Sequence, residues 1–118
     1  MKATELRIGN YVNSRRYNTV KVDAIMFDVL FMEGIDEPES LIDISPIPLT
    51  EEWLVKLGFE SEGNMWYTTN NISYNTEDNR VVREQPGILG TIYNAITRVS
   101  YVHQLQNLYF VLTGKELC

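Results

Sequence analysis

Apolar residues fall into short, strand-like runs through the first third of the chain and take helical spacing only twice, once in the middle and once near the end. Leu6-Arg7-Ile8-Gly9-Asn10-Tyr11-Val12 reads as an apolar anchor, a turn at Gly9-Asn10 and an extended stretch. Tyr17 to Phe27 alternates in part, with Val20, Val22, Ile25 and Phe27 apolar. Val29-Leu30-Phe31-Met32 is a continuous run short enough for a buried strand. Gly34 to Ser40 is acidic and contains Pro38, which predicts a loop, and Leu41-Ile42-Asp43-Ile44 predicts one more short strand. Several short strands in succession predict an N-terminal curled β module.

Pro46 and Pro48 forbid a helix before residue 49. Thr50 then fits an N-cap, and Glu51 and Glu52 sit in a first turn, where the helix dipole favours acids. Leu49 and Leu54 take the staple positions, and Trp53, Leu54 and Leu57 form an apolar face. Gly58 suits the left-handed residue that ends such a helix, with Phe59 folding back on Leu54. Two turns are unstable alone, so the helix needs burial of Trp53 and its neighbours. A meander follows, with strands predicted at 59–61, 65–69, 72–75 and 80–83 around turns at Glu62-Gly63-Asn64, Asn70-Asn71 and Asp78-Asn79. Pro86-Gly87 predicts a loop over 84–90, and a strand is expected near Ile96–Arg98. The final element is a helix over 101–113, capped by Ser100 and ended by Gly114. Its core face is Tyr101, Val102, Leu105, Leu108, Tyr109 and Leu112. The elements together predict an α+β fold, in one domain over 1–118 or in two sub-lobes, a β module at 1–45 and a helix–meander–helix at 46–118.

At 118 residues and 44% hydrophobic, the chain can build a core without staples. A single cysteine, Cys118, permits no internal disulfide and fits a reducing compartment. The N-terminus lacks the apolar run of a signal peptide, and no stretch has the roughly 20 apolar residues of a membrane span, so a cytoplasmic protein with no membrane partner is expected. The net charge of −6 is unevenly placed. Residues 1–22 hold five basic side chains against one acid, whereas residues 23–62 hold eleven acids against Lys56. An acidic centre of this kind keeps a chain soluble, and it can also mimic phosphate toward a nucleic-acid-binding protein.

Three segments carry a resemblance: Arg7-Ile8-Gly9-Asn10-Tyr11-Val12; Pro46-Ile47-Pro48-Leu49-Thr50-Glu51-Glu52-Trp53-Leu54 through Lys56-Leu57-Gly58-Phe59; and Tyr101-Val102-His103-Gln104-Leu105-Gln106-Asn107-Leu108-Tyr109-Phe110 with Leu112-Thr113-Gly114. The set resembles small proteins encoded in phages, prophages and mobile elements of Bacteroidetes-type gut bacteria. The resemblance implies such an origin and supplies neither an activity nor a site residue. The opening Leu-x-x-Gly-Asn-x-Val also looks like those of SH3-like barrels.

Candidate chemistry is sparse. One His and one Cys do not make the four-ligand set of a zinc site, and Asp36-Glu37-Pro38-Glu39 lacks the calcium-loop spacing. Gly87-Ile88-Leu89-Gly90 lacks the Lys and Ser/Thr of a phosphate loop. His103 has no nucleophile elbow or oxyanion loop to work with. No catalytic residue, metal or cofactor is therefore expected, and the chemistry points to surfaces. Arg15, Arg16 and Tyr17, on a predicted hairpin, could grip a nucleic acid by charge and stacking. Phe110 and Val111 lie off the core stripe of the last helix, which suggests a self-association or partner surface with His103 and Asn107. The leading expectation is a non-enzymatic adaptor that binds a host or phage protein. The alternatives are a nucleic-acid-binding protein, and a small-molecule binder or enzyme of phage counter-defence.

Overall fold

Two five-stranded antiparallel sheets, a six-residue helix and a twelve-residue helix make an α+β fold in the computed structural model, which describes residues 1–117. The chain forms two compact units, one of 1–48 with 101–114, the other of 49–100 with the chain end from Lys115. The last helix thus belongs with the N-terminal sheet, whereas the sequence grouped it with the meander.

In the first unit the strands are β1 (Tyr11–Ser14), β2 (Asn18–Met26), β3 (Val29–Met32), β4 (Glu39–Ser40) and β5 (Ile44–Ser45), ordered β4-β3-β2-β1-β5. Side chains alternate across a strand, so Val12, Val20, Val22, Leu30 and Met32 all face one side, where Leu6, Leu41 and Ile44 complete the core. The long β2 serves two neighbours. Its first half pairs with β1 and its second with β3, with a register shift between Val22 and Ala24. Leu41–Asp43, expected as strand, is a 3-10 turn instead, started by the Ser40 hydroxyl accepting from the Ile42 N–H at 3.4 Å. Its apolar residues mislead because only Leu41 of the three is buried.

Helix α1 is Glu51–Lys56 and α2 is Val102–Thr113. The N-cap of α2 is Tyr101, not Ser100. The Gln104 side chain reaches back to accept the Tyr101 N–H (3.2 Å), and Gly114 closes the other end in the left-handed region (φ 74°). The Val102 N–H donates to the Ile47 carbonyl, beside a bridge between Pro48 and Tyr101. Val102, His103, Leu105, Gln106 and Tyr109 are buried, while Leu108 and Leu112 are half-buried and Tyr101 is exposed. The buried stripe is therefore rotated from the purely apolar face toward two polar residues.

In the second unit, Thr50 Oγ1 accepts the Trp53 N–H (3.3 Å) at the start of α1. At its end the Phe59 N–H donates to the Leu54 carbonyl and the Gly58 N–H to the Val55 carbonyl, with Gly58 at φ 98°. Leu54, Leu57 and Phe59 are buried. Trp53, expected to supply the burial, is only half-buried and has the Lys56 ammonium 4.5 Å from its ring. The meander consists of β6 (Glu60–Ser61), β7 (Trp66–Thr69), β8 (Ile72–Asn75), β9 (Arg80–Gly87) and β10 (Gly90–Arg98), in sequential order. Asn70 and Asn71 both take positive φ, as the tight β7–β8 turn requires.

Residues 84–90 are not a loop. They belong to a long hairpin in which Gly87 pairs with Gly90 across the two-residue turn Ile88-Leu89. A Cβ on Gly87 would lie 2.7 Å from the Gly90 carbonyl oxygen, and Gly90 has φ 130°, so both glycines serve the turn. The strand expected at 96–98 is the end of the nine-residue β10.

Candidate interaction surfaces

Arg15, Arg16 and Tyr17 lie in the β1–β2 turn. Ser14 organises that turn, because its buried hydroxyl bonds the Glu39 carboxylate and accepts the Arg16 and Tyr17 N–H groups (3.2 and 3.1 Å). The two guanidinium groups meet acids of their own unit. Arg16 lies 2.8 Å from Glu37, and Arg15 lies 3.5 Å from Asp43. The hollow here, about 520 Å³, is lined by Arg15, Arg16, Pro38, Glu39, Ser40 and Asp43, so its charge is mixed rather than basic.

The α2 group divides. Asn107 Oδ1 accepts from Asn10 Nδ2 (2.8 Å) and Arg7 (3.3 Å), while its Nδ2 donates to the Glu5 carbonyl (3.1 Å). The Arg7 guanidinium lies over the Phe110 ring, 4.0 Å from its centroid. His103 is 3% exposed, its Nδ1 has no hydrogen-bond partner among the described residues, and its ring stacks on Tyr101. Burial pushes its pKa down, a shift that Glu5 opposes. Val111 alone of the four is widely open, at 77%. The structure thus brings Asn107 and Phe110 together with the N-terminal segment, while Val111 points elsewhere.

Sequence reasoning missed the partner of that arrangement, Gln106. Its Oε1 accepts the Tyr11 N–H (2.9 Å) and its Nε2 donates to the Gly9 carbonyl (3.1 Å), so it clips α2 to the Gly9-Asn10 turn. Gln106 lies outside the expected core stripe, among the polar residues His103, Gln104 and Asn107, so the apolar periodicity gave no signal for the clip.

The second unit holds a cleft of about 510 Å³ on one sheet face, lined by Trp66 and Tyr93, the carboxylates of Glu62 and Glu84, Arg80, and the smaller Ser73, Val82 and Ala95. Ser73 donates to Glu84 (3.2 Å), and Arg80 is paired with Asp78 at 2.7 Å. Beside the cleft runs the β9–β10 arm. Ile88 and Leu89 at its tip are fully exposed, at 102% each, and Ile92, Tyr93 and Ile96 are exposed along β10. Apolar residues within 84–99 were visible in the sequence, but the expected loop hid that they lie on one arm, exposed on both of its faces.

Among the described residues no group of three or more His, Cys, Asp or Glu is placed to hold a metal ion, and no helix is long and apolar enough to cross a membrane. No protein-family model, curated protein or solved structure matches the chain.

Proposed function

We propose that the chain is a non-enzymatic protein-binding module that makes its contact through the β9–β10 arm. The observation that carries the reading is the exposure of five large apolar side chains on one arm, Ile88 and Leu89 at the tip and Ile92, Tyr93 and Ile96 along β10. Apolar surface of this kind is disfavoured unless something covers it. An adaptor of phage or mobile-element origin acting in the cytoplasm on a host or phage protein is consistent with the sequence resemblance. The sheet order β4-β3-β2-β1-β5, with a 3-10 turn before the last strand and a β2 shared between two pairings, supports an SH3-like curled module in the first unit. The ion pairs of Arg15 and Arg16 count against a nucleic-acid grip.

The test is a double substitution, Ile88→Ser with Leu89→Ser. Both side chains are fully exposed, so the unfolding midpoint should hold. Proteins recovered by the wild-type chain from host or infected cells should be lost. Undiminished recovery by the variant would remove the arm from the account. The cleft supports a second reading, a small-ligand binder. A ligand in the cleft would shift the signals of Trp66 and Tyr93 and lose affinity on Trp66→Ala.

A further inference from the structure

The outer edge of β10 has no neighbouring strand among the described residues, and it carries no charged side chain from Gly90 to Thr97. The ladder fixes which main-chain groups face outward. The Glu84 N–H donates to the Asn71 carbonyl on the β8 side (2.8 Å), so Arg83 and Gln85 turn their groups toward β10. Their register partners there are Asn94 and Ile92. Thr91, Tyr93 and Ala95 alternate with these and direct their N–H and C=O groups away from β9. Natural edges of this length are blunted by charge, proline or a covering segment. This one has only the register shift between Ala95 and Thr97, near its far end.

The same strand reads almost identically in both directions about Asn94. Thr91 mirrors Thr97, Ile92 mirrors Ile96, and Tyr93 and Ala95 are the one unlike pair. A two-fold antiparallel seam through Asn94 sets Tyr93 against Ala95 and Ile92 against Ile96 of the second copy, as an isologous interface requires, and the register shift before Thr97 ends the regular seam there. Its hydrogen-bonded pair is Tyr93 with Ala95 of the second copy, the residues whose groups are open. That pair is large against small, and both residues line the cleft face of the sheet, so the phenol ring has room. The chain carries a net charge of −6, yet this seam sets no carboxylate of its own strand against another.

We propose that two copies of this chain pair antiparallel through β10 about a two-fold axis at Asn94, giving one continuous sheet across both. The proposal rests on the reading of the β9–β10 arm as a protein-binding element and names a second copy as its occupant. Mass by sedimentation or light scattering should rise from 13.7 kDa toward twice that value in a concentration series reaching about 1 mM. Ala95→Pro removes an outward N–H and no bond to β9, so the hairpin persists and the mass should return to 13.7 kDa. In a Cys118→Ser background, Asn94→Cys should form an intermolecular disulfide under mild oxidation. At the centre of the seam the two Cα atoms face each other at about 4.5 Å, within disulfide reach. Glu52→Cys, exposed on α1, is the control.

A mass that stays at 13.7 kDa throughout, with Asn94→Cys cross-linking no faster than Glu52→Cys, overturns the proposal. So does a dimer indifferent to Ala95→Pro. A monomer that still recovers a partner sensitive to Ile88→Ser with Leu89→Ser would sink this inference and leave the arm's role standing. A monomer that recovers nothing would sink both.

Discussion

Replacing Gln106 by Met keeps most of the side-chain volume and deletes only the polar clip between α2 and the Gly9-Asn10 turn. In the wild-type chain Gln106 is 1% exposed and satisfies two main-chain groups, the Tyr11 N–H and the Gly9 carbonyl, while Asn10 Nδ2 lies 3.4 Å from its Oε1. The Gly9 N–H is already spent on the Val22 carbonyl, so this turn has no slack with which to find new partners. Each buried main-chain group left without a partner costs about 1–3 kcal/mol. The Tyr11 N–H and the Gly9 carbonyl are part-buried, so water recovers some of that cost, and with what the Met side chain gains by packing the loss is about 1–3 kcal/mol. That is a large part of the 5–15 kcal/mol that holds an ordinary domain of this size. The assay is urea unfolding followed by far-ultraviolet circular dichroism, with hydrogen exchange read at the Tyr11 amide. Tryptophan fluorescence is the wrong probe here, because Trp53 and Trp66 both lie in the other unit. A Gln106→Met variant within about 0.5 kcal/mol of wild type, with Tyr11 equally protected, would falsify the clip.

Other predictions concern single features. The buried Tyr74 hydroxyl donates within its unit, with the Val99 carbonyl at 2.9 Å and Asn79 Oδ1 at 2.8 Å, and its pKa is pushed up to about 12, by burial first and by Asp78 second. The folded state therefore favours the neutral phenol. Its stabilisation is complete below the ordinary tyrosine value of 10.0 and is lost as pH rises toward about 12, an effect of up to about 3 kcal/mol that Tyr74→Phe should abolish in fluorescence-monitored unfolding. Gly87→Ala places a methyl 2.7 Å from the Gly90 oxygen and the Ile92 side chain, so it should fray the hairpin at a cost of about 1–3 kcal/mol, seen as faster exchange in β10 with β7 and β8 unchanged. Arg15→Ala with Arg16→Ala removes two exposed, solvent-screened ion pairs and should leave the unfolding midpoint unchanged. A salt-dependent DNA or RNA complex lost in that double variant would revive the nucleic-acid reading.

Local chemistry was legible where it acts at short range. Thr50, Gly58 and Phe59 define the ends of α1 through main-chain hydrogen bonds that any sequence reader can anticipate, and Asn70-Asn71 marks its turn by its tolerance of positive φ. The β9–β10 arm was not legible, because Pro86 argued for a break. Its position explains why none occurs. Glu84 faces β8, so Pro86, two residues on, faces the same way, and there the β8 pairing has already ended at Ile72 opposite Arg83. The missing N–H therefore interrupts no ladder. The exposure of β10 on both faces also removes the apolar alternation that announces a strand. On α2 the apolar periodicity located the helix but not its buried side, because Gln106 is held inward by the Gly9-Asn10 turn, and such a long-range amide contact leaves no periodic trace.

Hydrogen exchange along β10 tests the central claim most directly. The Thr91, Tyr93 and Ala95 amides face outward, and those of Ile92 and Asn94 are engaged with β9 in the lone hairpin. If the arm is a protein-binding edge, the first three should gain protection when the chain is concentrated or bound to a recovered partner, while Ile92 and Asn94 change little. Free exchange at Thr91, Tyr93 and Ala95 under both conditions would contradict the account.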